Sequence, residues 1–529
     1  MRNFHFPGRS LVFARRAMCA TSHPAATLTA VETLKAGGNA VDASIAAAAV
    51  LAVVEPQMTG IGGDCFALIA KPGRKKLIAL NASGRAPAAA TAEWYARKGY
   101  TRIEPFTPHA VTVPGAIAGW TRLLEDHGTM PLDRLMQPAI ALAEGGMIVA
   151  PRVGADWSRS APKLAKNAGA RKHHLRDGRA PEVGEVVRFP ALAKTLKTIA
   201  REGRDGFYKG PVAADMVAEL KALGGLHTKE DFAAQQASYV EPISVAYRGV
   251  ELNELPPSNQ GIVALVMLKM LEKLGGTRAV PVSVERYHVL MEAARLAYAM
   301  RDAFVADPDM AEVPVEHMLD DAVIATLVKR IDRKRRKPDL GPVPKPVGSD
   351  TVCFSIVDEQ GMAVSFINSL FDDFGSGIVT GKTGIVLHNR GKGFVTDPRH
   401  PNCIAPGKRP LHTLVPAMVT KEGKPLMAFG VMGAHFQPMG HVYIMSNMFE
   451  YGMDAQSAID TPRVFFEGDS LLAEESVPAE VVKGLQGMGH KVTHRDMPWG
   501  GCQIVQFDRA NGVLIGASDG RKDGMALGY

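Results

Sequence analysis

Cysteine is scarce in this chain of 529 residues and shows no pairing pattern. The five cysteines are odd in number, scattered and without C-x-x-C spacing: Cys19, Cys65, Cys353, Cys403 and Cys502. This arrangement indicates neither a disulfide framework nor a zinc site, and it favours a reducing compartment. We therefore expect a cytoplasmic location.

Long hydrophobic runs are also missing. The most apolar stretch, residues 44–54 ("SIAAAAVLAVV"), is too short to span a bilayer and predicts a buried helix. At the N-terminus Arg9, Arg15 and Arg16 interrupt any apolar segment, so we predict no signal peptide. The sequence thus gives no sign of a membrane partner.

Familiar cofactor and nucleophile motifs are absent as well. The chain has no G-x-S-x-G elbow, no H-E-x-x-H helix and no P-loop lysine motif. The glycines of residues 375–381 ("GSGIVTG") miss dinucleotide spacing, so we predict turns there. His173 and His174 lie among charged residues, which favours a solvated loop over a metal site. We expect neither a metal nor an organic cofactor.

The composition is that of an ordinary globular protein, with 46% hydrophobic and 22% charged residues. Part of the formal charge of +7 lies in residues 329–337 ("KRIDRKRRK"). No aromatic residue interrupts this run, so the solvated end of a helix is favoured over a nucleic-acid interface. The length allows two to four domains or one large multilayer α/β body.

Helical patterns dominate the first part of the chain and strand patterns the last. Amphipathic helices are predicted at residues 23–38, after Asn39, and from Val284 to Ala306. From Thr351 the pattern alternates as a β-hairpin, and strands follow at "GIVLHN" and around a Lys-Glu-Gly-Lys turn. Strands flanked by helices in both parts predict an α/β (α+β) protein of stacked layers.

The junction ahead of the hairpin is chemically informative. Residues 337–348 carry four prolines, which suit neither a helix nor a central strand, and the buried hairpin begins at Thr351. A threonine hydroxyl needs a base, and its own α-amine can serve once the Asp350–Thr351 bond is cut. The alternative is that Thr351 simply begins a strand, as β-branched residues often do.

Several glycine- and proline-bearing motifs decide between these alternatives. They include "GGNAVDASIAAAAVLAVVEP", "GIGGDCF", "VPGAIAGW", "ELPPSNQG", "GKRPLHTLVPAMV" and "GASDGRKDGMALGY", in that order along the chain. With them the sequence resembles the γ-glutamyltranspeptidase family of N-terminal-nucleophile hydrolases over nearly its whole length. The resemblance implies a four-layer αββα sandwich made by a precursor that cuts itself.

On this resemblance residues 1–350 form a large subunit that ends in a Pro-rich linker, and residues 351–529 form a small subunit. The two would fold as one intertwined domain. Homo-oligomer formation is compatible with these patterns but not indicated by them. Thr351 matches the family's nucleophile, Ser369 the hydroxyl residue that bonds it, and Gly433 with Ala434 the oxyanion-hole pair. A backbone N–H survives the change from glycine to alanine.

The residues that hold a γ-glutamyl group in the family are mostly replaced. Ser83 stands where the family has its carboxylate-binding arginine, with Arg85 two residues later. The family's serine pair becomes His412 and Thr413. The groups that receive the substrate's α-amino group become Phe371 and Gly393, and a glutamine becomes Arg390. The segment between Phe394 and Arg409 is short compared with relatives that carry a lid loop.

We therefore expect the acyl-transfer chemistry of the family with an altered acyl specificity. Arg85, Arg390 and His412 are the candidate substrate contacts, with Ser83 and Thr413 beside them. The predicted substrate is a small amide whose acyl group is γ-glutamyl or otherwise acidic, passed to water or an amine. The alternatives are a β-lactam side-chain acylase, an oxamate-type amidohydrolase, or an unprocessed binding protein of the same fold.

Overall fold

A computed structural model describes residues 8–276, 280–338 and 351–529. The predicted junction residue Asp350 therefore lies outside the described residues. Three short 3₁₀ turns occur at Pro108–Ala110, Arg390–Gly393 and Ala434–Phe436. Along the described ranges the α-helices are α1 Pro24–Lys35, α2 Ala40–Val54, α3 Ala92–Arg97, α4 Ala116–His127, α5 Leu132–Gly145, α6 Pro151–Leu164, α7 Ala168–His174, α8 Pro190–Tyr208, α9 Gly210–Ala222, α10 Lys229–Ala234, α11 Ile262–Lys273, α12 Val284–Phe304, α13 Val315–Met318, α14 Asp321–Arg330, α15 Gln437–Phe449, α16 Ala455–Asp460 and α17 Ala479–Gly487.

The strands of the same ranges are mostly short, as expected for antiparallel sheets. They are β1 Val12–Ala14, β2 Met18–Thr21, β3 Asp64–Ala70, β4 Ile78–Ala82, β5 Met147–Ile148, β6 Val186–Val187, β7 Ser238–Val240, β8 Ile243–Tyr247, β9 Val250–Glu254, β10 Val352–Val357, β11 Ala363–Ser369, β12 Pro416–Lys421, β13 Lys424–Met432, β14 Val464–Glu467, β15 Ser470–Ala473, β16 Lys491–His494, β17 Gly501–Asp508, β18 Val513–Ser518 and β19 Met525–Gly528.

Two antiparallel sheets, each of seven described strands, form the centre of the molecule. Their strand orders are β1-β18-β17-β13-β12-β9-β8 and β19-β2-β10-β11-β3-β4-β7. In both sheets, strands that precede residue 350 lie beside strands that follow it. A cut at this position would leave the two polypeptides joined by the hydrogen bonds of both sheets.

Three apolar cores separate four layers. The inner core joins the facing sides of the two sheets, with Phe66 and Ile367 from one and Met418 and Val505 from the other. An outer core packs α2, α5 and α8 against the second sheet. The other outer core packs α11, α12 and α15 against the first sheet. This arrangement confirms the predicted αββα sandwich.

The helices begin and end largely where the sequence predicted. Asn39 accepts hydrogen bonds from the N–H groups of Val41 and Asp42, and the Asp42 carboxylate accepts from the Asn39 N–H. This capping box satisfies N–H groups that have no partner inside the helix. Helix α12 follows its predicted range to within two residues.

Two local predictions were wrong. The segment "GIVLHN" (residues 384–389) makes a single bridge, between Val386 and Val379, because its other backbone groups bond to neighbouring turns and to Gly62. His174 is buried at the end of α7, where its ring contacts Trp157, Phe189 and Phe374. The charged residues beside His174 in the sequence gave no indication of this aromatic pocket, which forms from residues that are distant in the chain.

Among the described helices none is long and apolar enough to cross a membrane.

Candidate active site

The β10–β11 hairpin brings Thr351 and Ser369 together. Val352 pairs with Asn368, so the residues one step further, Thr351 and Ser369, lie opposite each other. The Thr351 Oγ1 and Ser369 Oγ atoms are 3.1 Å apart, and both side chains are buried. The alternation that predicted the hairpin from the sequence therefore also sets this pair.

A third side chain contacts the Thr351 hydroxyl. Gln437, the first residue of α15, donates from Nε2 to Thr351 Oγ1 at 3.4 Å. Its amide orientation is fixed, because Oε1 accepts the Val415 N–H at 2.9 Å. The sequence analysis missed Gln437, although it follows the predicted oxyanion pair within "GAHFQP".

Gly433 and Ala434 form a sharp turn between β13 and α15. Both have positive φ, 117° at Gly433 and 49° at Ala434. A side chain at Gly433 would meet the Gly500 Cα at 3.2 Å. The alanine is in the left-handed region that non-glycine residues rarely occupy.

Gln260 connects this turn to the segment at Thr413, ahead of β12. Its Nε2 donates to the Ala434 carbonyl at 2.8 Å and to the Thr413 carbonyl at 3.0 Å. Arg301 of α12 in turn donates to Gln260 Oε1 at 2.8 Å and contacts His435 Nδ1 at 2.9 Å. Neither Gln260 nor Arg301 was singled out from the sequence, although Gln260 lies in the quoted motif "ELPPSNQG".

Arg390 lies buried beside the Thr351–Ser369 pair. It donates to Thr413 Oγ1 at 2.6 Å and to Ser369 Oγ at 3.3 Å, and its guanidinium stacks 4.0 Å from the centre of the Phe371 ring. Burial lowers its pKa to about 10, so it remains a cation at neutral pH. Arg390 makes no ion pair with any carboxylate of the described residues, and its Nε has no partner among them.

His412 is buried and bonds to Asp64. Its Nε2 lies 3.0 Å from Asp64 Oδ2, and burial lowers the pKa of His412 to about 3. A neutral ring therefore donates to the carboxylate. Burial alone would raise the pKa of Asp64, but His388, His412 and Arg390 outweigh it and hold that pKa below its ordinary value. Of the carboxylates that raise the pKa of Arg390, Asp64 has the largest effect.

Ser83 and Arg85 bond to other groups of the protein. Ser83 Oγ donates to Asn81 Oδ1 at 2.7 Å, and the residue is buried. Arg85 donates to the Gly407 carbonyl at 2.9 Å and pairs with Asp309 at 3.0 Å. The structure brings Thr351, Ser369, Arg390 and Thr413 into one hydrogen-bonded group and leaves Arg85 and Ser83 outside it.

An open cleft of about 540 Å³ adjoins this group. The segment predicted to leave the cleft open supplies part of its wall, with Phe394, Val395, His400 and Asn402. The other lining residues come from the loop after α3, from α12 and from the segments around Phe371, Thr413 and His435. They are Arg102, Ile103, Glu104, Pro105, Arg301, Asp302, Phe371, Lys392, Gly393, Leu411, Thr413 and His435.

The carboxylates of the cleft are already paired. Asp302 pairs with Arg301 at 2.6 Å, and Glu104 pairs with Arg102 at 2.6 Å. Behind Phe371, Lys392 and Asp372 form a further pair at 2.6 Å, and Lys392 lies 4.2 Å from the Phe371 ring centre. A substrate ammonium would find no unpaired acid among these groups, whereas Arg390 is a cation without a carboxylate contact.

One group of described side chains has the composition of a metal site. The ligand atoms of His288, Glu292 and His490 lie within 4.8 Å of one another. The two histidines bond to each other at 2.8 Å, and Glu292 pairs with Arg295 at 2.9 Å. These bonds use the groups that would bind a metal, and Arg295 adds a positive charge beside them, so the group fits a structural network.

The αββα sandwich with a threonine at the start of a central strand defines the class of N-terminal-nucleophile hydrolases. The model of the family described as gamma-glutamyltranspeptidase matches residues 26–529. The chain belongs to this family, and it is an enzyme of the hydrolase and acyltransferase type.

Relatives in the family carry different activities in their names. The glutathione hydrolase-like YwrD proenzyme of Bacillus subtilis is 36% identical, over 98% of this chain and 99% of its own. The oxamate amidohydrolase proenzyme of Klebsiella pneumoniae is 35% identical, over 97% of this chain and 98% of its own. A solved cephalosporin acylase from Bacillus halodurans superposes with a TM-score of 0.92 and 37% identity, over 100% of this chain and 99% of its own.

Proposed function

We propose that the protein is a self-cleaving amidohydrolase whose N-terminal Thr351 carries the acyl group of an acidic amide. The observation that supports this most directly is the buried pair of Thr351 and Ser369, 3.1 Å apart, directly after the Pro-rich junction. The relatives named proenzymes support a precursor that is cut. A binding protein without processing would have no need of this pair.

Processing begins when Thr351 Oγ1 attacks the carbonyl carbon of Asp350. The hydroxyl proton passes to the departing amide nitrogen, the C–N bond breaks, and an ester joins residue 350 to the Thr351 side chain. Water then hydrolyses the ester, which leaves a carboxylate on Asp350 and a free α-amine on Thr351. Of these groups only Thr351 lies in the described residues.

Turnover uses the amine that processing has released. An α-amine has a pKa near 7.7–8.0, so a useful fraction accepts the Oγ1 proton at neutral pH. Oγ1 attacks the substrate carbonyl, and the Gly433 and Ala434 N–H groups hold the oxyanion. The leaving amine takes the proton from the ammonium, and water then attacks the acyl-enzyme and releases the acid.

The charges around the cleft favour an acyl group with its own carboxylate. Arg390 is a buried cation with a free Nε and no carboxylate contact among the described residues. A charge-assisted hydrogen bond from an arginine to a carboxylate contributes roughly 1.5–3 kcal/mol. The relative named for oxamate fits this expectation, since oxamate carries a carboxylate next to its amide.

A γ-glutamyl substrate is the second candidate, supported by relatives named glutathione hydrolases. Its α-amino group would be buried against Phe371 and the cationic Arg390 and Lys392, with Asp372 already bound to Lys392. Burying an ammonium without an acidic partner is costly. We therefore expect γ-glutamyl amides to be poorer substrates than acidic acyl amides without an α-amino group.

The test compares four amides on the processed protein: oxamate, a glutaryl, a γ-glutamyl and a butyryl amide of one amine. We expect the glutaryl amide or oxamate to have the highest kcat/KM. The variant Arg390→Gln should lower the glutaryl-to-butyryl ratio of kcat/KM by about 10-fold to 100-fold, because only glutaryl loses a charge-assisted bond. Arg85→Gln, which changes a residue bound to Asp309, is the matched control. A preference for γ-glutamyl, or an unchanged ratio in Arg390→Gln, would contradict the proposed specificity.

A further inference from the structure

The hydrogen bond between Thr351 and Ser369 has a direction that the surrounding donors determine. Ser369 Oγ accepts the Phe371 N–H at 2.8 Å and an Arg390 N–H at 3.3 Å. Neither group can accept a hydrogen bond, so together they occupy both lone pairs of this oxygen. The Ser369 proton must then be donated, and Thr351 Oγ1 is the acceptor 3.1 Å away.

Gln437 adds a second donor to the same oxygen. Its Oε1 accepts the Val415 N–H at 2.9 Å, which leaves Nε2 to face Thr351 Oγ1 at 3.4 Å. An amide nitrogen of this kind only donates. The opposite amide orientation would place an N–H against the Val415 N–H, so the surrounding backbone excludes it.

We propose that Gln437 is a catalytic residue that donates a hydrogen bond to the Thr351 oxygen while that oxygen becomes the nucleophile. With Ser369 and Gln437 both donating to Oγ1, neither of these two neighbours accepts the Thr351 hydroxyl proton. The proton leaves for the α-amine, and the developing negative charge on Oγ1 is stabilised by two donors. Arg390 acts through Ser369, as a positioning residue.

The position of Gln437 in the chain links this role to the oxyanion turn. It lies three residues after Ala434 and begins α15, a helix whose residues up to Asn447 are buried. The same short segment would therefore hold both oxygens on which negative charge develops: the nucleophile through Gln437, and the substrate oxygen through Gly433 and Ala434.

This inference rests on the proposed function, because it needs Thr351 to be the nucleophile. The test uses Gln437→Glu, which still accepts the Val415 N–H but in its ionised form offers Oγ1 no proton, and Gln437→Met, which removes the donor without adding charge. Measured quantities are the rate of precursor cleavage, kcat and KM for the preferred amide, the pH profile of kcat/KM, and Tm.

We expect kcat to fall by about 10²–10³ in both variants, as for the loss of one oxyanion-hole donor. KM should change by less than about threefold, because the Gln437 side chain contacts Thr351 Oγ1 and not the acyl group of the bound substrate. The two variants should differ in their pH profiles. The carboxylate of Gln437→Glu raises the pKa of the neighbouring α-amine, so the acid limb moves to higher pH, whereas Gln437→Met leaves it in place.

A merely structural glutamine would behave otherwise. Gln456 is the matched control, since it lies in the first turn of α16, is buried, donates from Nε2 to the Ser518 carbonyl and accepts the Ser518 N–H at Oε1. Gln456→Met should lower Tm at most and keep the wild-type kcat. A folded Gln437→Glu that cleaves itself more slowly supports the proposal, because Oγ1 attacks in processing too.

Two results separate the failure of this inference from that of the proposed function. The role of Gln437 is overturned if its variants keep the wild-type cleavage rate and kcat. It is also overturned if their losses follow the fall in Tm and the two pH profiles are alike. In both cases Thr351 remains the nucleophile. A wild-type protein that neither cleaves itself nor turns over any of the four amides overturns the proposed function first.

Discussion

At the scale of single residues, the site depends on a few backbone and side-chain positions that have little freedom. Gly433 has φ 117° and Ala434 φ 49°, so the two neighbouring residues tolerate side chains differently. Ala434 already carries a Cβ in the left-handed region, whereas a Cβ on Gly433 would press on Gly500 and Phe436. Only the glycine is required by its surroundings.

This difference predicts opposite outcomes for two small substitutions. Gly433→Ala should lower kcat by about 100-fold, because the turn must shift and misplace its N–H donor. Ala434→Gly keeps the N–H and relieves the left-handed alanine, so kcat should stay within about threefold of wild type. Steady-state kinetics on the processed proteins distinguish the two. Equal losses in both variants would contradict the assignment of the turn.

Thr351 itself allows a second comparison at this scale. Thr351→Ala removes the hydroxyl and should abolish both precursor cleavage and turnover. Thr351→Ser keeps the hydroxyl and the α-amine, so cleavage should continue. A denaturing gel and an amide-hydrolysis assay follow both properties. Cleavage in Thr351→Ala would show that another group attacks the chain.

At the scale of elements, the β10–β11 hairpin fixes the distance between Thr351 and Ser369. Its turn depends on Asp358, whose carboxylate accepts the N–H groups of Gln360 and Met362 and, across the molecule, of Ala40 at the start of α2. The turn therefore attaches the hairpin to the first turn of a buried helix. The register of the nucleophile is set from the far end of its own strand.

Asp358→Ala should destabilise the protein by about 2–4 kcal/mol, because it leaves three backbone donors without their acceptor and one of them, on Ala40, is buried. Precursor cleavage should slow in proportion to the unfolded fraction. Asp397→Ala removes an exposed carboxylate that bonds to its near neighbour Arg399, so this variant should stay within about 0.5 kcal/mol of wild type. Urea unfolding measures both, and equal stabilities would contradict the role of the hairpin turn.

Elements with strong local patterns were predictable from the sequence. The hairpin shows alternation on both sides of an Asp-Glu-Gln-Gly turn, and α2 shows a capping asparagine ahead of an apolar run. The segment at Val386 was not predictable, because its apolar residues pack in a loop whose backbone bonds to Gly62 and to nearby turns. Local periodicity cannot distinguish such a loop from a strand.

The candidate site divides in the same way. The family resemblance pointed to Thr351 and Ser369, and the fold brings them together. Gln260 lies in a quoted motif and Gln437 follows the predicted oxyanion pair, but neither motif marks the glutamine itself. A glutamine gains its role from the groups that tertiary structure places around its amide. His412 stays a predicted substrate contact; the bond of its ring to Asp64, a partner 348 positions away in the chain, had no sequence signal.

At the scale of the whole molecule, buried histidines make stability depend on pH. Burial lowers the pKa of several histidines. The pKa falls to about 4 in His23 and His227 and to about 3 in His174, His412 and His490. An unfolded histidine has a pKa near 6.5, so between these values the unfolded chain binds more protons. The contribution of these histidines to the free energy of unfolding is therefore fully present above pH 6.5 and is lost as the pH falls toward their folded pKa values.

Each such histidine contributes a loss of roughly 2 kcal/mol between pH 7 and pH 5. We expect Tm to fall over this range, before most carboxylates titrate. His174→Phe should flatten the fall, because its ring nitrogens have no partner among the described residues and its neighbours are aromatic. Calorimetry at pH 7, 6 and 5 tests this. A Tm that is constant over the range would contradict the neutral state of these rings.

The strands that precede residue 350 and those that follow it are interleaved, and this predicts how the protein behaves after cleavage. Both sheets contain strands from each side, so the cut polypeptides should remain together in native conditions. They should separate only when the sheets are denatured. Cleavage would therefore change the chemistry at Thr351 while the four layers stay assembled.

The most direct measurement is the mass and N-terminal sequence of each polypeptide in the purified, denatured protein. The account predicts two polypeptides, one ending at Asp350 and the other beginning Thr-Val-Cys-Phe. A single intact chain in an active preparation, or a second polypeptide that begins at any other residue, would contradict it.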